Sequence, residues 1–93
     1  MVRVLVLYEQ EPDPTRYAEH AALCERVPRA RFRHGRIFGA PRGEERFRYM
    51  AEFEFADMET FLDCARSPEY AATGHDAQAM GLKYTVQFAE LAD

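Results

Sequence analysis

The chain has 93 residues, room for one domain over residues 1–93 and not for a second. It is 47% hydrophobic and 30% charged, which separates it from disordered chains. Twelve basic side chains against sixteen acidic ones leave a net charge of −4, which argues against a phosphate-binding surface for nucleic acid, and no apolar run approaches the roughly 20 residues that span a membrane.

Residues 2–8, VRVLVLY, are rich in β-branched and aromatic side chains and are predicted as the first strand. The opening stretch lacks an Ala-x-Ala-like cleavage site, so it is read as a strand and not as a signal peptide. Asp13-Pro14 opens a helix: the Asp can cap free amides, and Pro needs no N–H at the first helical position. Tyr17, Ala21, Cys24 and Val27 follow at offsets of 4, 3 and 3, which places them on one helical stripe, and Pro28 ends it. Ala30–Gly39 is predicted as the second strand. Pro41-Arg42-Gly43-Glu44 is a turn by its Pro and Gly.

Arg46–Phe55 is the clearest strand. Phe47, Tyr49, Ala51, Phe53 and Phe55 alternate with Arg46, Arg48, Met50, Glu52 and Glu54. Asp57 caps the next helix, on which Met58, Phe61, Leu62 and Ala65 form the expected inner stripe. Ser67-Pro68-Glu69 starts a third helix, which carries Tyr70, Ala77 and Met80 and stops at Gly81. Lys83–Glu90 alternates again and is the fourth strand. The order β-α-β-β-α(α)-β is solved most economically by a ferredoxin-like split βαβ fold, with a four-stranded antiparallel sheet and helices on one face. The other sheet face is expected to be too apolar to stay wet. A second copy would cover it, which predicts a homodimer through the open sheet face.

Several segments together resemble the EthD-like family. They are the strand VRVLVLYE, His20-Ala21-Ala22-Leu23 leading to Val27-Pro28, Gly35-Arg36-Ile37-Phe38-Gly39, Ala51-Glu52-Phe53-Glu54-Phe55-Ala56-Asp57, and Ser67-Pro68-Glu69. The family pattern has a His-x-Pro-Leu step on the first helix, and here Ala22 stands in place of that Pro. Thr15-Arg16-Tyr17 occupies the place of a Tyr-Tyr pair that often precedes the His. The resemblance implies a dimeric α/β barrel. Relatives by fold include small monooxygenases, muconolactone isomerases and haem-degrading enzymes, and the name-giving protein is associated with ether degradation. Fold alone does not choose among these chemistries.

Six residues are the candidates for chemistry. His20 matches the family's helix-one histidine and could move a proton near neutral pH; the alternative is a histidine bonded to a neighbour or exposed beside Glu19. Phe32, His34, Arg36 and Phe38 alternate along the second strand. His34 and Arg36 could hold a small carboxylate or enolate there, or simply mark an edge strand. Glu52 is expected to be desolvated inside the barrel as a general base, with Met50 as apolar wall beside it. Its alternative is an ion pair with Arg36, Arg48 or a partner-chain Arg. Tyr8 could place a hydroxyl at the barrel mouth. His75, beside Asp76, is read as solvated.

Cys24 and Cys64 have no Cys-x-x-Cys spacing and no adjacent His, so they are read as reduced core thiols of a cytoplasmic protein, not as ligands or nucleophiles. Phosphate-loop, dinucleotide, serine-nucleophile and His-x-x-x-His motifs are missing, and so is the Trp common in haem pockets. No metal or cofactor is therefore expected. The composite expectation is a homodimer that binds a small, largely apolar organic molecule, as a cofactor-free oxygenase or an isomerase in degradative metabolism. A non-catalytic carrier or assembly partner of the same fold is the alternative. An RNA-recognition module shares the element order, but the acidic charge and the Glu-rich third strand oppose it.

Overall fold

The computed structural model describes residues 1–43 and 46–92. The elements are β1 (Val2–Tyr8), α1 (Pro14–Cys24), β2 (Arg31–Arg36), β3 (Tyr49–Phe55), α2 (Met58–Ala65), α3 (Pro68–Ala79) and β4 (Tyr84–Glu90). They build one antiparallel sheet in the order β2-β3-β1-β4, the ferredoxin-like arrangement with helices on one face. Each helix begins on a side-chain cap. The carboxylate of Asp13 accepts from the Arg16 amide at 2.9 Å, that of Asp57 from the Thr60 amide at 2.8 Å, and the Ser67 hydroxyl from the Tyr70 amide at 3.2 Å. Such caps satisfy amides that a helix start leaves without intrahelical partners.

Strand register decides which side chains see the helices. Val2, Val4, Val6 and Tyr8 stand opposite Phe55, Phe53, Ala51 and Tyr49, and all of these except Tyr49 are buried with Tyr17, Cys24 and Phe61 in one core. Phe32, His34 and Arg36 share this face, paired with Phe53, Ala51 and Tyr49. Tyr84, Val86 and Phe88 of β4 share it too. β1 alternates buried and half-buried positions along its whole length, the pattern of a central strand with unequal faces.

Three expectations change. The second and third strands are shorter than predicted, ending at Arg36 and starting at Tyr49. Past Arg36 only single bonds continue the pairing: the Ile37 amide donates to Arg48 O at 3.0 Å, and the Arg48 amide turns to Tyr8 O at 2.8 Å. Glu44 of the predicted turn lies outside the described residues. The inner stripe of α2 is also rotated. Phe61 and Cys64 face the sheet, whereas Met58, Ala65 and Leu62 are exposed, Leu62 by 49%. An eight-residue helix buries one narrow stripe, and the residue after Phe61 is turned about 100° away from it.

The open face is also less apolar than expected. Leu5, Leu7 and Met50 supply its apolar part, and the aromatic side chains of β1 to β4 all point to the helices. Beside it lies an ionic cluster of Arg3, Arg33, Glu52 and Glu54, and β4 adds Thr85, Gln87 and Ala89 to the face. Arginines and glutamates stand directly opposite each other in the register, Arg31 and Arg3 flanking Glu54 and Arg33 beside Glu52, so cross-strand attraction holds them in place.

Candidate functional site

Helices α1 and α3 lie side by side over the sheet, and a cavity of about 100 Å³ remains beneath them. Val4, Val6, Phe53, Ala77 and Val86 give it an apolar wall, and Tyr8, His20, Cys24, Thr73 and Tyr84 bring polar atoms to it. The local reason is helical phase. Tyr17, His20, Ala21 and Cys24 fall at offsets of 3, 1 and 3, so one stripe of α1 carries them all inward, and all four are buried.

His20 is held at both ring nitrogens. Its Nδ1 lies 2.8 Å from Asp76 Oδ2, and its Nε2 lies 3.4 Å from Cys24 Sγ. Asp76 in turn takes a bidentate pair from Arg16, at 2.7 and 3.1 Å. The Arg16 guanidinium, helped by His20, keeps the Asp76 carboxyl below the ordinary carboxylate range. A carboxylate at Nδ1 takes the proton there, and in the neutral tautomer that this selects Nε2 carries the lone pair and can accept from the Cys24 thiol. Burial pushes that thiol up to about 12, so it rests neutral. Because the two ring nitrogens point in opposite directions, Asp76 and Cys24 do not converge on one point. No group of three or more His, Cys, Asp or Glu suited to a metal forms among the described residues.

A tyrosine layer closes the cavity at one end. Tyr8 and Tyr17 hydroxyls are 3.4 Å apart. Burial raises both phenols, Tyr8 to about 12, so both carry their protons at neutral pH. Tyr17 stands between the two histidines, its ring 5.3 Å from that of His20 and 5.1 Å from that of His34.

The six candidate residues therefore do not meet at one place. Tyr8 and His20 line the cavity. His34 lies on the same sheet face but beyond Tyr17, in an open groove of about 480 Å³ that it shares with Glu11, Glu25 and Tyr49; its Nδ1 is 2.6 Å from the Tyr49 hydroxyl. Arg36 is exposed at the end of β2. Met50 and Glu52 point to the opposite sheet face, as the alternation of β3 requires. Glu52 is buried there under arginines, 2.5 Å from Arg33 and 3.9 Å from Arg3. An ion pair was one of its two readings, but the partners are these two rather than Arg36 or Arg48. His75 is exposed as expected.

Two residues of this arrangement escaped the reading of the sequence. Cys24 has no histidine adjacent to it in the sequence, yet His20 is one helical turn away on the same stripe. The four-residue spacing was the available signal. Asp76 was named only as a neighbour of His75. Its partnership with His20 depends on how α1 meets α3, which no local pattern encodes.

A four-stranded antiparallel sheet in the order β2-β3-β1-β4 with its helices on one side defines the ferredoxin-like α+β class. Residues 9–80 match the EthD domain family, and the chain belongs to that family. It is similar over 99% of its length, and 99% of the other chain, to an EthD family protein from Bacillus halodurans, at 33% identity and a TM-score of 0.80. It is similar in fold to a dimeric ferredoxin-like protein of unknown function from Jannaschia, at 22% identity over 97% of this chain and 98% of that one, with a TM-score of 0.75. The fold is also shared with SnoaB, a cofactor-independent oxygenase from Streptomyces nogalater, at 15% identity over 99% and 93% of the two chains, with a TM-score of 0.61. No curated protein matches the chain. No helix among the described residues is long and apolar enough to cross a membrane.

Proposed function

We propose that this EthD-family chain is a cytoplasmic homodimer that binds a small, largely apolar organic molecule in the cavity under α1 and α3, and that His20 takes a proton from it. The observation that carries the reading is the 2.8 Å contact between His20 Nδ1 and Asp76 at the wall of an apolar hollow. Asp76 fixes the tautomer and stabilises the imidazolium that forms, and Nε2 is the accepting atom. The Tyr8 hydroxyl, which keeps its proton, is suited to donate to an oxyanion that develops on the ligand. Loss of a proton from a carbon next to a carbonyl, or from a phenol hydroxyl, gives a stabilised enolate-type anion, a first step shared by isomerisation and by cofactor-free oxygenation. His34, Arg36, Met50 and Glu52 are assigned to binding surfaces outside this cavity, Met50 with Leu5 and Leu7 at the dimer face. The dimeric description of fold relatives supports the assembly, and two buried free thiols support the reducing compartment.

The test is proton exchange. Small enolisable ketones and phenols are incubated with the protein in deuterated water, and exchange at the activated carbon is followed by NMR. Acceleration that falls about 100-fold in His20→Gln supports the proposal. A second reading, a carrier without chemistry, is favoured by one feature: Nε2 is already occupied by the Cys24 thiol. Saturable binding without any exchange would select it.

A further inference from the structure

Cys24 does more than fill a hole in the core. Its Sγ is 3.4 Å from His20 Nε2, His20 Nδ1 is 2.8 Å from Asp76, and Arg16 clamps Asp76 from behind at 2.7 and 3.1 Å. A thiol, an imidazole and a carboxylate in that order are a nucleophile, its base and the group that orients the base. All three sit on the packed helices α1 and α3, so their geometry is set by helix packing and not by a loop. Cys24 and His20 both line the cavity, and so does Tyr8. We propose that Cys24 is a general-base-activated nucleophile, and that the cavity takes small neutral electrophiles of the α,β-unsaturated carbonyl class. This rests on the small-molecule reading of the cavity and adds a bond-forming group to it.

The step balances without an outside reagent. Sγ forms a bond to the β-carbon of the alkene as the thiol proton passes to His20 Nε2. The alkene π pair becomes the new double bond between the α-carbon and the carbonyl carbon and the carbonyl π pair moves onto oxygen, giving an enolate, to which the neutral Tyr8 hydroxyl is suited to donate. The imidazolium then returns its proton to the α-carbon. Nothing is oxidised or reduced. The high pKa of the resting thiol accords with this order, in which proton transfer accompanies attack and no standing thiolate is needed. An apolar hollow of about 100 Å³ favours small uncharged compounds over charged ones.

The molecule carries its own control. Cys64 is as buried as Cys24, at 0% against 2% exposure, but the partner of its sulfur is the Ser67 hydroxyl at 4.0 Å, not an imidazole. If burial alone governed reactivity, both thiols would react at rates set by opening of the fold. The experiment exposes native protein to acrylamide and maps adduct formation at the two cysteines by mass spectrometry over time. Cys24 is expected to react about 100-fold faster than Cys64, the size of a general-base contribution. His20→Gln should abolish the preference, and Asp76→Asn, a milder change should His20→Gln fail to fold, should reduce it. Equal rates at the two cysteines, or a Cys24 preference that neither variant lowers, overturns the proposal. Deuterium exchange in Cys24→Ala separates this from the function proposed above. Exchange retained there, with no Cys24 preference in the native protein, removes the nucleophile and leaves the proton acceptor; a preference without exchange does the reverse.

Discussion

Asp76 and His20 are 56 positions apart in the chain and 2.8 Å apart in space. The contact is one of three hydrogen bonds that tie α1 to Asp76 of α3, the other two coming from Arg16 to the same carboxylate. One acidic side chain therefore joins the two helices and sets the tautomer of the one buried histidine among the described residues.

The Asp76 carboxyl is held below its ordinary value of 3.8, chiefly by the Arg16 hydrogen bonds. A carboxyl depressed in the fold contributes stability that is present above the unfolded pKa and is lost as pH falls through the folded one. Wild type should accordingly melt higher than Asp76→Asn at pH 6. The gap should begin to close near pH 4 and vanish below it. Thermal melts between pH 2.5 and 7 measure this, and a gap that stays constant to pH 2.5 contradicts it.

The tyrosines make the opposite prediction at high pH. Burial raises Tyr8 to about 12 and lifts Tyr17, Tyr49 and Tyr70 as well. An acid whose folded pKa is raised contributes stability that is full below the unfolded value, about 10, and is lost as pH rises through the folded one. Stability should decline from pH 10 toward pH 12, and phenolate absorbance should appear together with unfolding. Tyr8→Phe should weaken that decline.

In the core, Phe61 packs against Phe55 at 5.4 Å and Phe88 at 5.3 Å between ring centroids. Phe61→Ala should cost about 3–5 kcal/mol, from lost burial plus an unfilled cavity. Leu62→Ala, one residue on and half exposed, should stay within about 0.5 kcal/mol. Urea titrations of both variants check the phase of α2 directly.

The dimer proposed for the open face is tested at its apolar end. Sedimentation equilibrium at micromolar concentration should find about two chains. Met50→Arg adds a cation between Leu7 and Gly35, its register partners, and should shift the population to monomer. A wild-type monomer at the same concentration removes the assembly, while the helix-side cavity, which each chain builds alone, stays.

Much of the fold was legible because its causes are local. The Asp13-Pro14, Asp57 and Ser67-Pro68 starts are capping chemistry between residues three apart, and all three helices begin there. The β3 alternation placed Phe53 and Phe55 inward and Met50 and Glu52 outward. The order of elements pointed to the sheet, and the EthD-like segments pointed to the family. What failed locally failed for want of contrast: in α2, Met58, Phe61, Leu62 and Ala65 are all apolar, so periodicity could not choose which stripe a short helix buries.

The site was legible only in its separate parts. His20 could be named because the resemblance to the EthD-like family places a histidine on the first helix, and Tyr8 because it ends the first strand. The companions of His20 could not. Asp76 reaches it only after α1 and α3 pack together, and Tyr17 divides His34 from His20 only once β2 is laid beside β3. Glu52 found Arg33 and Arg3 through sheet register, which pairs residues 19 and 49 positions away. Local propensity and amphipathic period are properties of neighbouring residues, so the chain by itself determines elements and faces. Which charged groups meet across those elements depends on helix packing and strand register, and only the tertiary structure decides that.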